Sequence, residues 1–258
     1  MSRPRIIVTN DDGIFSEGIE RLAAALSEVG DVFTVAPDQE RSAAGHSLTL
    51  HHPLRAKLIG PQRWSVDGTP TDCVNWGVLH LLRDERPKLL FSGINLGLNL
   101  GDDVTYSGTV SAAFEGTLIG IPSVAISQEI ETGFTFDAAA AFAARLARLL
   151  LEQPLTPGTL INVNVPAEAP RGVRVGRQGR RRYGEAVIEK IDPRGRPYYW
   201  IGSTPPAGEL EHGTDLSAVE ENYISVTPLH LDLTHYDSLV LLEDIASRLQ
   251  ASDAPKAR

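Results

Sequence analysis

The stretch that most constrains this chain runs from Ile6 to Glu20, I-I-V-T-N-D-D-G-I-F-S-E-G-I-E. Ile6-Ile7-Val8-Thr9 is a short β-branched run, which reads as a buried strand of a parallel sheet. It breaks at Asn10-Asp11-Asp12-Gly13, residues that favour a turn. Ile19, Leu22, Ala23 and Leu26 then recur at helical spacing, with Ser16 as the expected N-cap. Strand, acidic turn and helix in that order open an α/β unit. In open α/β sheets, ligands bind outside the carboxyl ends of the strands, and Asp11 and Asp12 stand at that place. Read as turn chemistry, the pair needs no further explanation. Read as neighbouring carboxylates, the two repel each other unless something positive sits between them. A hard divalent cation such as Mg²⁺ or Mn²⁺ takes oxygen ligands and keeps several waters, so it is the neutraliser that such a pair fits.

The rest of the chain repeats the unit. Asp31–Ala36 is a second strand closed by Pro37, and strand–helix–strand at this length predicts parallel pairing. The loop Pro37–Ser47 follows that strand's carboxyl end and so faces the same crevice; it contains Ser42 and His46. Leu48-Thr49-Leu50 resumes an extended pattern, and Ile59–Val66 reads as a strand pair around Gly60-Pro61. A helix follows, with Thr71 or Asp72 as cap and Val74, Val78, Leu79 and Leu82 as its buried stripe. Lys88–Ser92 is the next strand, ending in a run of Gly, Asn and Leu from Gly93 to Asp103. Glycine there permits close backbone approach to a ligand, and Asn offers a neutral oxygen or an amide. Ser107-Gly108-Thr109 opens a helix that carries Val110, Ala113, Phe114 and Leu118. Its first turn is either a plain cap or a phosphate site. Strands over Pro122–Ser127 and Thr159–Val165 flank a helix over Asp137–Glu152. Tyr223–Thr227, closed by Pro228, is strand-like, and Asp237–Leu249 is the terminal helix, with a polar tail over Ala251–Arg258.

This pattern gives an α/β, Rossmann-like, doubly wound and mostly parallel sheet. The expected organisation is one domain over residues 1–258. Its core is about 1–170 and 220–230, with a protruding hairpin at about 180–204 and a C-terminal helix and tail at about 231–258. In the hairpin, Glu185–Ile191 pairs with Pro197–Ile201 across the turn Asp192-Pro193-Arg194-Gly195. A lone two-stranded hairpin is marginal in water, so this arm is expected to pack on another subunit.

Composition narrows the function. The 258 residues carry a net charge of -9, which argues against binding nucleic-acid polymers or anionic membranes by a general positive field. A phosphate site here needs a local device, either a metal or a helix start. The single cysteine, Cys73, excludes an internal disulfide and a Cys-rich zinc site and fits a reducing compartment. No signal-peptide pattern precedes the first strand and no apolar stretch is long enough to span a bilayer, so a cytoplasmic location is expected.

Three strand ends and a helix start thus converge. Asp11, Asp12, Ser42 and an Asn oxygen make a hard-cation set with positions left for water. A helix start beside it suits a phosphate, so cation and helix together point to phosphomonoester hydrolysis by an activated water. An aspartate-nucleophile phosphatase would have its second acid two positions after the first, and Gly13 is there. A phospho-accepting receiver domain would have an Asp where Asn95 stands, and a dinucleotide module would show G-x-G-x-x-G in the first turn.

The chain resembles the SurE family of survival-protein nucleotidases. The resemblance rests on V-T-N-D-D-G-I at 8–14, A-P-D-Q-E-R-S-A-A-G-H-S at 36–47, S-G-I-N-L-G-L-N-L-G at 92–101 and Y-S-G-T-V-S-A-A-F-E-G at 106–116. N-V-N-V-P at 162–166, R-R-R-Y at 180–183 and V-T-P-L at 226–229 extend it over nearly the whole chain. It implies a phosphatase that depends on one divalent cation, Mg²⁺ or Mn²⁺, per subunit and hydrolyses nucleoside 5′-monophosphates. Nucleoside 3′-monophosphates and short polyphosphate are further candidate substrates. It also implies a homodimer or homotetramer that uses the C-terminal arm. The family's metal ligands fall on Asp11, Asp12, Ser42 and Asn95, with Asp11 and Asp12 catalytic. Its phosphate-binding positions fall on Asn99, Ser107, Gly108 and Thr109. His46 is the histidine inside a matched motif; it reads either as an acid–base group or as a structural hydrogen-bonding residue of its loop.

Overall fold

The structure is a computed structural model, which describes residues 3–182, 187–201, 207–208 and 211–252. Its first half runs β1 (Arg5–Thr9), α1 (Glu17–Leu26), β2 (Asp31–Pro37), β3 (Ala56–Gly60), β4 (Arg63–Val66), α2 (Pro70–Trp76), β5 (Leu89–Leu96) and α3 (Gly108–Leu118). Next come β6 (Ser123–Gln128), α4 (Asp137–Glu152), β7 (Thr159–Val165), β8 (Val173–Val175) and β9 (Arg181–Arg182). The last part holds β10 (Val187–Ile191), β11 (Pro197–Ile201), β12 (Ala207–Gly208), α5 (Asp215–Glu220), β13 (Ile224–His230) and α6 (Leu239–Ser252).

Nine of the described strands form one sheet in the order β3-β4-β2-β1-β5-β6-β7-β13-β8. Its centre, from β4 to β7, is parallel. β3 runs antiparallel to β4, and β13 antiparallel to β7. Alternation along β1 sets the two layers, because successive side chains leave opposite faces of a strand. Ile6 and Val8 pack with Ile19, Leu22 and Leu26 of α1 and with Ala139 and Ala143 of α4. Ile7 packs with Val74 and Val78 on one side of that layer and with Val110 and Ala113 of α3 on the other. Each fully buried Ile or Leu contributes about 1.5–3 kcal/mol, so both helical layers are firmly seated. The strand order reverses at β1, whose neighbours are β2 and β5, with Thr9 opposite Ser92. That reversal opens the crevice in which α/β sheets hold ligands.

Several local expectations change. Ser16 occupies the N-cap position of α1, but its hydroxyl makes no cap bond there; it accepts from the Asn10 amide at 2.8 Å. The cap of α2 is Thr69 rather than Thr71 or Asp72, and Asp72 closes a capping box as its third residue. After α2 the chain makes a wider π turn over Gly77–Leu81. The wider turn keeps Val78 and Leu82 inside and rotates Leu79 out to 51% exposure. Leu48–Leu50 joins no strand. β5 runs four residues past its expected end, through an irregular register between Ser92 and Asn95. Pro228 does not close its strand; it pairs with Ile161 inside β13. Among the described residues β8 covers only Ile224–Val226, so Pro228 faces an edge, where a missing N–H costs no ladder bond.

The hairpin is present, with Val187 opposite Ile201 and Ile191 opposite Pro197. Glu185, Tyr183 and the tail from residue 253 lie outside the described residues. The terminal helix begins two residues later than expected, after a 3₁₀ turn at Tyr236–Ser238.

Among the described glycines the tightest approach of a helix to a strand is at Gly18 of α1, where an added Cβ would lie 2.1 Å from the carbonyl oxygen of Ile94. Gly18→Ala is therefore expected to lower stability by about 1–3 kcal/mol in urea denaturation, as overpacking does. An unchanged midpoint would contradict that contact.

Candidate active site

Asp11 lies two residues past the end of β1 and is 4% exposed, and Asp12 beside it is half-buried. The turn that presents them is braced from three sides. The Asn10 amide donates to the Gly13 carbonyl at 3.0 Å and to Ser16. Ile14 N–H donates to the Pro37 carbonyl at 2.8 Å, and Arg41 N–H donates to the Asp11 carbonyl at 2.7 Å. These last two bonds draw the loop after β2 against the acidic turn.

The start of α3 closes on Asp11 from the far side of the crevice. The Thr109 hydroxyl donates to Asp11 Oδ1 and lies 3.3 Å from Asn95 Oδ1. Thr109 thereby links the end of β1 to the end of β5. Gly108 permits this closeness, because a Cβ there would sit 2.8 Å from the Cβ of Asp11. The Asn95 amide donates to the Gly97 carbonyl at 2.7 Å, which leaves Oδ1 turned to Thr109. Leu96 N–H donates to Asp12 Oδ2 at 3.3 Å.

No basic side chain among the described residues compensates the two carboxylates. Burial pushes the Asp11 carboxyl above its ordinary value, against the bonds from Thr109. Burial and then the charge of Asp11 push Asp12 up to about 6. Arg41, beside the turn, pairs with Asp38 at 3.7 Å, and neither Asp11 nor Asp12 joins an ion pair among the described residues. No group of three or more His, Cys, Asp or Glu residues suited to a metal occurs among the described residues. A cation here would therefore be held by two carboxylates completed by neutral oxygens, a donor set that fits a hard ion retaining water. Asn95 Oδ1 is brought to this set. Ser42 follows Arg41 in the loop tied to Asp11, and its hydroxyl donates to Glu40 Oε1 at 2.8 Å.

The phosphate-side residues are placed differently from one another. Ser107 caps α3, its hydroxyl accepting from Val110 N–H at 3.1 Å. Gly108 is the first residue of this 11-residue helix, where unpaired N–H groups and the helix dipole favour an anion. Thr109 is turned to Asp11, so its hydroxyl serves the carboxylate side. Asn99 is buried and held on all sides. Its carbonyl accepts from the amides of Asn162 at 2.8 Å and Asn164 at 3.0 Å. Its N–H donates to Asn164 Oδ1 at 2.8 Å, and its amide donates to Ser127 Oγ at 2.8 Å. His46 meets none of these residues; it pairs with Glu115 of α3.

Sequence reasoning did not single out Asn162, Asn164, Ser127, Glu115 or Asp215. Asp215 is fully buried and accepts from Gly101 N–H and Gly179 N–H, both at 2.8 Å, which fixes the end of the glycine-rich loop. The available signal was the alternating Asn162 and Asn164 in an otherwise apolar strand, since buried amides need partners. A cleft of about 750 Å³ lies along the other flank of α3, lined by His46, Thr105, Ser111, Phe114, Arg177 and His230 among others, and the acidic pair is not part of it.

Known proteins match this chain over most of its length. The family model for survival protein SurE matches residues 6–185. A protein of Geobacter metallireducens named 5′-nucleotidase SurE is 54% identical over 243 residues, covering 93% of this chain and 96% of its own. Its namesake in Geobacter sulfurreducens is 56% identical over 92% of each chain. That of Myxococcus xanthus is 49% identical over 91% of this chain and 90% of its own. Among solved structures, the crystal structure of SurE protein from Aquifex aeolicus superposes with a TM-score of 0.84 at 42% identity. That match covers 94% of this chain and all of the other.

The raised acid sets a pH dependence. Between its ordinary value of 3.8 and about 6, Asp12 binds a proton more readily in the folded chain than in the unfolded one. Stability from this group therefore falls as pH rises through that window. In EDTA, Asp12→Asn is expected to melt higher than wild type at about pH 8, with the gap closing toward about pH 4. A gap that does not change with pH in thermal melts would contradict the raised value.

Proposed function

The chain belongs to the SurE family, and on that premise we propose that it is a 5′-nucleotidase using one divalent cation, Mg²⁺ or Mn²⁺, per subunit. The observation that carries this reading is the pair of mutually repelling carboxylates, one buried and one half-buried, at the strand-order reversal beside a helix start. A hard cation bound there would supply Lewis acidity to a phosphoryl oxygen and lower the pKa of a water.

The chain's own groups divide the remaining work. Asp11 is oriented by Thr109 and cannot swing away, because Gly108 packs against it. Asp12 is more exposed than Asp11, with Oδ2 steadied by Leu96 N–H. Asn95 Oδ1 and the Ser42 hydroxyl complete the oxygen donors. On the substrate side, Gly108 N–H and the dipole of α3 hold the phosphate, with the Ser107 hydroxyl and Asn99 beside it. A substrate phosphate bound by the helix start thus lies next to the acidic turn, which fits orientation for in-line attack. Nucleoside 5′-monophosphates are the principal substrates, and 3′-monophosphates and short polyphosphate widen the range.

The protein works in the cytoplasm as a homodimer or homotetramer built with the β10–β11 arm. The arm exposes Val187, Ile191, Tyr199 and Trp200, an apolar surface that a partner subunit would cover. No described helix is long and apolar enough to cross a membrane.

Asp11→Asn is expected to lower phosphate release from a nucleoside 5′-monophosphate by at least about a hundredfold. EDTA is expected to abolish release by wild type and Mn²⁺ to restore it. Wild-type turnover by the variant at limiting metal, or in EDTA, would overturn the reading. Deleting residues 187–201 is expected to reduce the assembly's mass in light scattering after size exclusion; an unchanged mass would contradict the role of the arm.

A further inference from the structure

The loop that carries Ser42 leaves β2 and is fixed at two points. Arg41 N–H donates to the Asp11 carbonyl at 2.7 Å, and the Ser47 carbonyl accepts from the Thr69 hydroxyl at 2.8 Å. Between those points the backbone is not relaxed. Ala43 has φ +56°, a left-handed conformation that a side chain disfavours. The Ser42 and Ser47 hydroxyls bond within the loop itself, to Glu40 and to the Ala44 carbonyl. His46 supplies the side-chain bond that ties this strained stretch to another element.

That bond ends in a buried carboxylate. His46 Nε2 lies 2.7 Å from Glu115 Oε2, and the Asn75 amide of α2 donates to Glu115 Oε1 at 2.8 Å. Glu115 is 9% exposed, and the bonds from His46 and then Asn75 hold its carboxyl below the ordinary range. The imidazole also stacks 6.4 Å from the Phe114 ring. Glu115 lies seven residues after Gly108 on α3, two turns or about 10 Å along the same side of the helix. One rigid helix therefore packs against Asp11 at its start and anchors the Ser42 loop two turns later.

We propose that Glu115, braced by Asn75 and acting through His46, is a positioning residue that holds the Ser42 segment against the acidic turn and so completes the cation site. The inference rests on the reading of Asp11, Asp12 and Ser42 as cation ligands. It assigns His46 to loop placement and removes it from proton transfer.

The test measures Mn²⁺ affinity by electron paramagnetic resonance, together with amide hydrogen exchange of the metal-free protein at residues 42–47. His46→Ala and Glu115→Gln are each expected to weaken Mn²⁺ binding about tenfold, as loss of a group supporting a ligand does. Both are expected to speed exchange at residues 42–47, and His46→Gln, whose amide nitrogen reaches to about the same place, is expected to restore both readouts. His46 lies on a surface loop, so its variants keep the test independent of how Glu115→Gln folds. Faster exchange with unchanged Mn²⁺ affinity would overturn the proposal, since the bond would then only order the loop. Asp12→Asn serves as the reference. If it abolishes Mn²⁺ binding while the His46 and Glu115 variants bind normally, the positioning role alone fails. If Asp12→Asn also binds normally, the cation reading fails and this role with it.

Discussion

Two carboxylates that share a turn and are partly withdrawn from water repel each other, and the protein holds them together nonetheless. Asp11 cannot rotate away, because the Thr109 hydroxyl bonds it and the backbone of Gly108 packs on it. Asp12 carries the consequence, with its proton affinity raised by burial and by its neighbour. Holding two such carboxylates together costs stability unless a cation joins them, and destabilised groups of this kind cluster at functional sites. The rest of the structure is arranged around that repulsion: the sheet delivers the pair, the helix pins it, and the adjoining loops supply neutral oxygen.

The sheet delivers it through its strand order. β1 lies between β2 and β5, so the loops after all three strands open on one crevice. The loop after β2 is tied to the turn by Arg41 and Ile14. The loop after β5 is tied down by amides from β7 and by Asp215 from α5. These buried polar groups add little net stability where they are satisfied. Any one of them left without its partner would be costly, so the network specifies a single loop conformation. Residues from the second half of the chain thus hold a site whose proposed ligands all lie in the first half.

Much of this was legible in the residues. The β-branched run at Ile6–Thr9 followed by Asp11 and Asp12 located both the central strand and the crevice, because strand burial and turn chemistry are local properties. The pairing of the hairpin's two strands was equally readable, from the turn at Asp192–Gly195. Less legible were features that depend on a distant partner. Ser16 looks like a cap until Asn10 donates to its hydroxyl, and nothing local to Thr109 says that its hydroxyl bonds Asp11. Asn164 shows only as a polar residue in an apolar strand, and Asp215 and Glu115 carry no local signal of their roles, since each bonds a group 40 or more residues away. α5 is six residues long, too short for a periodic pattern to show.

The central claim is that a divalent cation relieves the repulsion between Asp11 and Asp12. Anomalous diffraction from crystals soaked in Mn²⁺ tests it most directly. The account predicts a single strong peak between the two carboxylates, within coordination distance of Asn95 Oδ1, at about 2.0–2.3 Å from its oxygen ligands. Absence of a peak there, with the Asp11 and Asp12 carboxylates turned apart, would contradict it.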